Sequence, residues 1–305
     1  MKISIIICTL NRSHAIVKCL DSIADSLSFI APIEAEIIVV DNASTDDTAG
    51  VVKKWAEACA FPVRLLYEPK KGLSAARNCG LRAAQGDLLL CTDDDCRMDK
   101  NYVADALRHG AADTEHVLRG GRVELGDKTD LPITIKTSPD LESWNKSQGS
   151  IKRGNIANSI LGCNMAMRRA VVEKVGPFDE NLGAGSDIPA SEDTDFTLRA
   201  YLADIPVEYV PDMTVYHYHG RKTVHQAYAL MKNYFIGNGA LYAKYIFKCP
   251  DFSRQLWWDF KDAIKETLTG KNFFKPENIG FSYKSKLIFC MLGVIKYFFR
   301  TVLAL

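Results

Sequence analysis

The sequence lacks the cysteine pairs and the excess charge that mark several classes of protein. Its 305 residues include nine cysteines, an odd number, and none of them form a C-x-x-C pair. This scatter argues against zinc and against a disulfide framework, and it is typical of reduced thiols in a cytoplasmic protein. The formal net charge is +1, so the composition does not predict nucleic acid as a partner. With 47% hydrophobic and 25% charged residues, the chain is typical of a globular protein.

Three familiar ligand-binding loops are also missing. No G-x-G-x-x-G follows the first apolar run, and no G-x-x-x-x-G-K-[ST] occurs, which excludes dinucleotide-binding and P-loop readings. An EF-hand counted from Asp93 would need glycine and glutamate where Met98 and Ala104 stand.

Long hydrophobic runs are scarce, and the two ends of the chain show this. The apolar residues 3–8 are followed by Asn11 and Arg12, so they predict a first strand and not a signal peptide. Residues 287–305 are mostly apolar but contain Lys296 and Arg300, and a central charge costs a membrane span roughly 2.5–3.5 kcal/mol. This segment and the aromatic, basic helix predicted at 223–247 either lie in a membrane interface or pack on the core. We expect a cytoplasmic protein, at the inner face of the cytoplasmic membrane if these helices bind lipid.

The sequence does contain a regular alternation of strand and helix patterns. Apolar runs predict strands at residues 3–10, 35–41, 63–67 and 87–92, and periodic segments predict helices at 13–27, 45–59 and 73–84. This alternation predicts an α/β fold with a mostly parallel, Rossmann-like sheet flanked by helices. Later strands are predicted at 117–125, 160–168, 207–210 and 214–218, later helices at 169–175 and 192–203, and a polar loop at 126–150. From residue 221 onward we expect a helical C-terminal extension.

Three consecutive aspartates, Asp93, Asp94 and Asp95, follow the fourth predicted strand. Carboxylates this close together raise one another's pKa unless a cation neutralises them. A hard divalent cation such as Mn²⁺ or Mg²⁺ would do so and would suit a diphosphate ligand. The alternative is a solvated turn whose acids cap the next helix.

Two other strand ends should meet these aspartates. Right-handed crossovers bring the carboxyl ends of strands one, two and four to one edge of a parallel sheet. The first end carries Thr9, Asn11 and Arg12, and the second carries Asp41. A carboxylate at position 41 could accept the N–H of a pyrimidine ring, although Asp also favours turns.

Basic residues surround the start of the third predicted helix. Lys71 precedes Gly72, and a helix N-terminus with free N–H groups would attract a phosphate. Arg77 lies one turn into that helix and could reach the same anion or brace the aspartates. A solvated basic surface is the alternative.

A second acidic cluster and a histidine pair occur near the end of the predicted sheet. Asp193 lies at the start of a helix for which Ser191 is the predicted N-cap, beside a glycine-rich loop at 183–187. A carboxylate there could act as a general base, although the helix dipole alone also favours acids. His217 and His219 alternate on a strand, so they share a face and could bind a metal or a phosphate, or be structural.

In order, the motifs V-V-D-N-A-S-T-D, G-L-S-A-A-R-N and T-D-D-D, followed by Glu192-Asp193, resemble those of the family 2 glycosyltransferases. The resemblance covers roughly the first 220 residues and implies the GT-A fold. It implies an enzyme that transfers sugar from a nucleotide-sugar donor, a UDP-sugar by preference, and that inverts the anomeric centre.

The resemblance also implies roles for individual residues. Thr9 and Asp41 would contact uracil, and Arg77 would lie near the diphosphate. Asp93 and Asp95 would form the D-x-D element, with Asp95 the direct ligand of Mn²⁺ or Mg²⁺ and Asp193 the catalytic base. The remaining candidates for the donor site are Asn11, Arg12, Lys71 and Asp94, and His219 is a further candidate metal ligand.

The sequence departs from part of the family pattern. No Q-x-x-R-W motif and no series of membrane spans is present, so we expect a non-processive enzyme. Its acceptor would be a glycan or a lipid-linked saccharide. Residues 1–220 would form the catalytic domain, with a nucleotide-sugar half at about 1–115 and an acceptor half at about 116–220, and 221–305 the extension. A sugar-nucleotide-binding module without catalysis and a nucleotidyltransferase of similar fold are the alternatives.

Overall fold

The computed structural model describes residues 1–30, 32–114, 116–147, 155–274 and 280–302. The N-terminal part alternates strands and helices as predicted. Strands β1 and β2 are buried along their whole length, which explains their nearly continuous apolar sequence. In chain order the elements are β1 (Ile3–Thr9), α1 (Ile16–Ser28), β2 (Ala35–Asp41), α2 (Thr48–Ala58), β3 (Val63–Tyr67), α3 (Leu73–Ala83) and β4 (Leu88–Asp93).

The second part of the chain completes the sheet and then becomes helical. A short 3₁₀ helix covers Asn155–Asn158. The other elements are β5 (Cys96–Met98), α4 (Tyr102–Ala112), β6 (Leu118–Leu125), β7 (Glu142–Trp144), β8 (Asn164–Arg168), α5 (Arg169–Val175), α6 (Glu192–Leu202), β9 (Val207–His217), α7 (Val224–Tyr245), α8 (Pro250–Thr269) and α9 (Tyr283–Val302).

The described strands form one sheet in the order β3-β2-β1-β4-β8-β6-β9-β5, with β7 paired to β9. Strands β3, β2, β1 and β4 are parallel, as predicted, whereas β8 is antiparallel to both β4 and β6. The fold is therefore α/β with a parallel N-terminal half and a mixed second half. Helices cover both faces, because α1, α2 and α4 pack on one side and α3, α5, α6 and the C-terminal helices on the other.

Some local predictions were wrong. The two strands predicted at 207–210 and 214–218 are one strand, β9, which ends at His217. Its pairing with β6 shifts between Gly121 and Arg122 and leaves Pro211 within the irregularity. Strands β5 and β7 were not predicted, because three residues carry too little pattern. Parts of the predicted 126–150 loop and of the 287–305 segment lie outside the described residues.

Ser191 stands at the N-cap position of α6 but does not cap it. Its φ angle is 75°, and no side-chain cap hydrogen bond forms. Its hydroxyl instead donates to Asn238 Oδ1 at 3.3 Å. The left-handed backbone thus turns this side chain away from the helix and towards α7.

The C-terminal helices α7 and α9 cross each other in close backbone contact. A Cβ atom added to Gly239 of α7 would collide with the carbonyl oxygen of Cys290, and one added to Gly293 of α9 with that of Ile236. Phe235, Phe274 and Phe281 fill the space beside this crossing. Among the described residues, none of the helices combines the length and the apolarity that a bilayer crossing requires.

Candidate active site

The predicted convergence of strand ends is present in the sheet. Thr9 at the end of β1 pairs in register with Asp41 of β2, and the preceding Cys8 pairs with Asp93 of β4. Both Thr9 and Asp41 are buried. Parallel register therefore brings the ends of three neighbouring strands to one edge.

The turn after β2 is held by polar side chains from its neighbours. Asp41 Oδ1 accepts the N–H of Ser44 at 2.9 Å, and Asn11 Oδ1 accepts the N–H of Thr45 at 2.7 Å. Asn11 has a φ angle of 56°, a left-handed conformation that asparagine tolerates better than most residues. Asp41 and Asn11 therefore shape the turn as well as being candidate ligand contacts.

At the start of α3, where the sequence predicted N–H groups free to bind a phosphate, two of these N–H groups already donate to protein oxygens. The N–H of Gly72 donates to Asn42 Oδ1 at 2.8 Å, and that of Leu73 to the Ala184 carbonyl at 2.9 Å. Lys71 is exposed beside them. Asn42, which the sequence analysis did not single out, is buried and holds this turn.

The aspartate triplet ends one strand and begins the turn into the next. Asp93 is the last residue of β4, and β5 starts at Cys96, so no helix follows for these acids to cap. Arg12 contacts Asp94 at 3.1 Å and Asp95 at 3.3 Å. Burial raises the pKa of Asp94 to about 6 although Arg12 opposes the shift.

His217, and not His219, lies against the triplet. His217 Nε2 is 3.3 Å from Asp95 Oδ1. Burial alone would lower the pKa of His217, but its hydrogen bond with Asp95 outweighs this and raises the pKa to about 9. The metal-ligand assignment to His219 is not supported by its contacts, because its Nδ1 accepts the N–H of Arg221 and its Nε2 faces the Leu131 carbonyl.

Arg77 links the aspartate triplet to the second acidic cluster. It is 2% exposed and contacts Asp93 at 3.0 Å and Glu192 at 2.8 Å. A Cβ atom on Gly162 would lie 2.7 Å from the Arg77 guanidinium, so glycine is required there. Burial and the neighbouring Asp193 raise the pKa of Glu192 to about 7, with Arg77 opposing the shift. Arg77 therefore braces the carboxylates, one of the two roles expected for it.

Asp193 is held by backbone groups at the start of α6. Its Oδ2 accepts the N–H of Gly162 at 2.9 Å, and its Oδ1 accepts the N–H of Thr194 at 2.7 Å. An ionised carboxylate has about four lone-pair positions, so these two bonds leave acceptor capacity for a further ligand. The side chain is thus fixed in orientation but still able to bind a hydroxyl.

A cavity of about 670 Å³ joins these groups. Its wall includes the carboxylates of Asp93, Asp95, Glu192 and Asp193. Helix α7 contributes Tyr234 and Asn238, which sequence reasoning missed because a helix far along the chain gives no sign of facing the sheet edge. The cavity is large enough for a small ligand such as a sugar with part of a diphosphate.

Comparison with known proteins identifies related sequences and folds. Residues 4–176 match the family model described as glycosyl transferase family 2. Glycosyltransferase AglE of Haloferax volcanii is 29% identical over 61% of this chain and 59% of its own length. The poly(ribitol-phosphate) beta-N-acetylglucosaminyltransferase TarS of Staphylococcus aureus is 24% identical over 94% of this chain and 47% of its own length. The chain thus spans about half the length of these curated relatives.

Solved structures share the fold at low sequence identity. TarS 1-349 of S. aureus in complex with UDP has a TM-score of 0.58 at 19% identity and covers 99% of this chain and 92% of that one. The mannosyltransferase PcManGT from Pyrobaculum calidifontis, in complex with GDP-Man and Mn²⁺, has a TM-score of 0.58 at 18% identity, covering 97% and 86%.

Proposed function

The chain belongs to glycosyl transferase family 2, and we propose that it transfers one sugar from a nucleotide-sugar, a UDP-sugar by preference, to a hydroxyl of a saccharide acceptor. The observation that carries this proposal is the shared cavity, which the D-x-D carboxylates border together with Asp193. Its two acidic groups would serve different halves of one displacement.

The donor half would use the strand-end residues. Thr9 and Asp41 would contact the uracil ring, with Asn11 and Arg12 shaping the adjoining turn. The relative TarS, solved in complex with UDP, supports a uridine donor. The relative PcManGT, solved with GDP-Man, makes a guanosine donor the natural comparison in any binding assay.

A divalent cation fits the donor set at the triplet. Asp93 and Asp95 provide hard carboxylate oxygens at the edge of the cavity, and His217 adds an imidazole nitrogen. These residues would hold Mn²⁺ or Mg²⁺, which when bound would stabilise negative charge on the leaving diphosphate. Arg12 would keep Asp94 and Asp95 oriented, and Arg77 would do the same for Asp93.

Asp193 would act on the acceptor as general base. It would take the proton of the acceptor hydroxyl while that oxygen forms a bond to the anomeric carbon. The bond from the anomeric carbon to the diphosphate oxygen would break on the opposite face, which inverts the configuration. General base catalysis of this kind contributes about 10²–10⁴-fold to the rate.

The test compares Asp193→Asn with wild type in two assays. Nucleotide release from UDP- and GDP-sugars is measured over a panel of saccharide acceptors, and UDP affinity is measured by calorimetry. We expect transfer to fall about 10²–10⁴-fold with UDP affinity nearly unchanged.

Asp204→Asn is the matched control, since Asp204 is exposed and its φ angle of 58° suits asparagine. Loss of UDP binding in Asp193→Asn would contradict the catalytic role and make Asp193 structural. Absence of nucleotide release by wild type with every acceptor would favour a binding module without catalysis.

We also propose that the C-terminal helices contact a membrane, which would make a lipid-linked saccharide the acceptor and the inner face of the cytoplasmic membrane the location. On α8 the exposed apolar residues recur at helical spacing: Trp257, Phe260, Ile264 and Leu268. On α9 they are Ile288, Met291, Leu292, Ile295, Phe298 and Phe299. We call these exposed residues of α8 and α9 the apolar stripe. Beside it, Lys261 and Lys265 lie over aromatic rings, with ammonium-to-centroid distances of 5.1 Å to Trp257 and 4.2 Å to Phe273. Apolar residues flanked by lysine favour an anionic lipid surface.

Vesicle sedimentation tests this contact. We expect wild type to bind anionic vesicles and the double variant Leu268→Ser, Ile288→Ser to bind them at least tenfold more weakly. The reason is that burying each of these two apolar side chains in lipid contributes on the order of 1 kcal/mol or more to the binding free energy. Phe29→Ser, a change at an exposed phenylalanine on the opposite face of the sheet, is the control. Equal binding by all three proteins would contradict the contact.

A further inference from the structure

Two thiols and one imidazole meet behind the aspartate triplet. Cys96 of β5 pairs in register with His217 of β9, so their side chains lie on the same side of the sheet. Cys163 precedes β8 and is held by its carbonyl, which accepts the Thr92 hydroxyl at 2.9 Å. The sulfur atoms of both cysteines and a ring nitrogen of His217 all lie within 4.8 Å of one another.

This donor set differs in chemistry from the carboxylates beside it. Thiolate sulfur and imidazole nitrogen favour borderline and soft cations such as Zn²⁺ over Mg²⁺. A tetrahedral zinc site with Zn–S bonds of about 2.3 Å places its ligand atoms roughly 3.5–3.8 Å apart. The three atoms, which lie within 4.8 Å of one another, therefore need to close by about 1.3 Å at most, which side-chain rotation can supply.

The group is buried but it is reachable. Cys96, Cys163 and His217 are each less than one-tenth exposed, so water would compete weakly with them for a cation. Cys163 and His217 also form part of the wall of the 670 Å³ cavity, which gives a cation a route from solvent. Asp95, 3.3 Å from His217, is available as a fourth donor.

We propose that Cys96, Cys163 and His217 form a binding site for a thiophilic divalent cation of the Zn²⁺ type. On binding, the two sulfur atoms replace their S–H bonds with bonds to the cation, and two protons leave to solvent. His217, which is protonated beside Asp95, gives up a third proton to solvent and donates a ring nitrogen lone pair to the cation.

The position of the site gives it a regulatory consequence. A cation bound there occupies His217, which the proposed Mn²⁺ or Mg²⁺ site also uses, and places positive charge next to the triplet. On the proposed function, Zn²⁺ would therefore compete with Mn²⁺ or Mg²⁺ and inhibit transfer. The binding itself does not depend on that function.

The test uses Co²⁺ as a spectroscopic substitute for Zn²⁺, on the reduced, metal-free full chain. We expect a thiolate-to-cobalt charge-transfer band together with the visible bands of tetrahedral cobalt, saturating at one equivalent and abolished by Zn²⁺. A large excess of Mg²⁺ should leave the bands in place, since Mg²⁺ does not favour sulfur. Displacement by Mg²⁺ would mean that cobalt sits at the carboxylates and would overturn the proposal.

Variants locate the bands at these residues. Cys163→Ser and Cys96→Ser should each lose the charge-transfer band, while Cys59→Ser, which removes a partly exposed thiol at the end of α2, should keep it. Thermal unfolding establishes that each variant is folded. If a variant does not fold, the competition of Mg²⁺ and Zn²⁺ with Co²⁺ in the wild type still decides between the thiols and the carboxylates. A missing band in wild type, or an unchanged band in both folded pocket variants, would refute the site.

Discussion

Replacing Arg77 by methionine should add a pH dependence to the stability of the protein above pH 7, where Glu192 adds none in the wild type. Arg77 is 2% exposed and is bonded to Glu192 at 2.8 Å. Methionine keeps an unbranched, apolar side chain against Phe178, whose ring centroid lies 5.6 Å from the Arg77 guanidinium carbon. The substitution therefore removes mainly the positive charge.

The sign follows from the pKa of Glu192. Burial and Asp193 raise this pKa from 4.5 to about 7 in the folded protein, with Arg77 opposing the shift. Between those two values the folded state keeps a proton that the unfolded state has lost, so stability falls as pH rises through this window. Above pH 7 both states of the wild type are ionised at Glu192, and the contribution becomes constant.

Without Arg77 the pKa of Glu192 rises further, so the loss of stability continues above pH 7. One pKa unit corresponds to about 1.4 kcal/mol. From pH 7 to pH 9 the deficit of Arg77→Met relative to wild type should therefore grow by up to about 2–3 kcal/mol.

Urea unfolding of both proteins at pH 7, 8 and 9 measures this difference. The matched control makes the same Arg77→Met change in a Glu192→Gln background, where the deficit should not vary with pH because glutamine does not titrate. Parallel stability curves for wild type and Arg77→Met would refute the reasoning and mean that Glu192 is not the partner that matters.

Three further predictions concern the metal, the histidines and the helix crossing. Asp95→Asn should abolish the extra thermal stabilisation that Mn²⁺ adds to a nucleotide-sugar; a wild-type stabilisation that ignores metal would contradict the role of the triplet. His217→Gln should weaken the apparent affinity for Mn²⁺ in this assay about tenfold or more. His219→Gln should lower thermal stability but leave the affinity for Mn²⁺ unchanged; the reverse result would favour His219 as the metal ligand, as the sequence predicted. Gly293→Ala should destabilise by about 1–3 kcal/mol in urea unfolding, because its Cβ would meet the Ile236 carbonyl, whereas Gly110→Ala in α4, whose Cβ has an ordinary contact with Leu88, should not destabilise.

The edge of the sheet at which β1, β2 and β4 end was predictable from the sequence because it depends on local patterns. The apolar runs that end at Thr9, Asp41 and Asp93 are buried parallel strands, and parallel pairing alone brings their ends together. The predicted bounds of β2 and β3 agree with the observed ones. Asp193 could be placed at the start of α6 for the same reason, since its helix has a clear pattern.

The rest depended on tertiary contacts that leave little trace in a pattern. Strand periodicity put His217 and His219 on one face, but β9 ends at His217, and His219 beyond it turns to Leu131. Lys71 precedes a helix start whose N–H groups are taken by Asn42 and Ala184, from distant parts of the chain. The local sequence cannot reveal hydrogen-bond partners that come from distant parts of the chain.

The domain boundary at residue 220 stays a prediction. The packing of α7 determines what would change if the helices beyond that boundary were exchanged. One hydrophobic cluster contains Ile6 and Leu89 of the sheet as well as Tyr242 and Cys290 of the C-terminal helices. The α7 residues Tyr234 and Asn238 also form part of the cavity wall. Exchanging the C-terminal helices between relatives would therefore change the shape of the cavity in which we propose that the acceptor binds, as well as the apolar stripe that we propose contacts lipid. In a chimera, acceptor choice and membrane attachment should be inherited together.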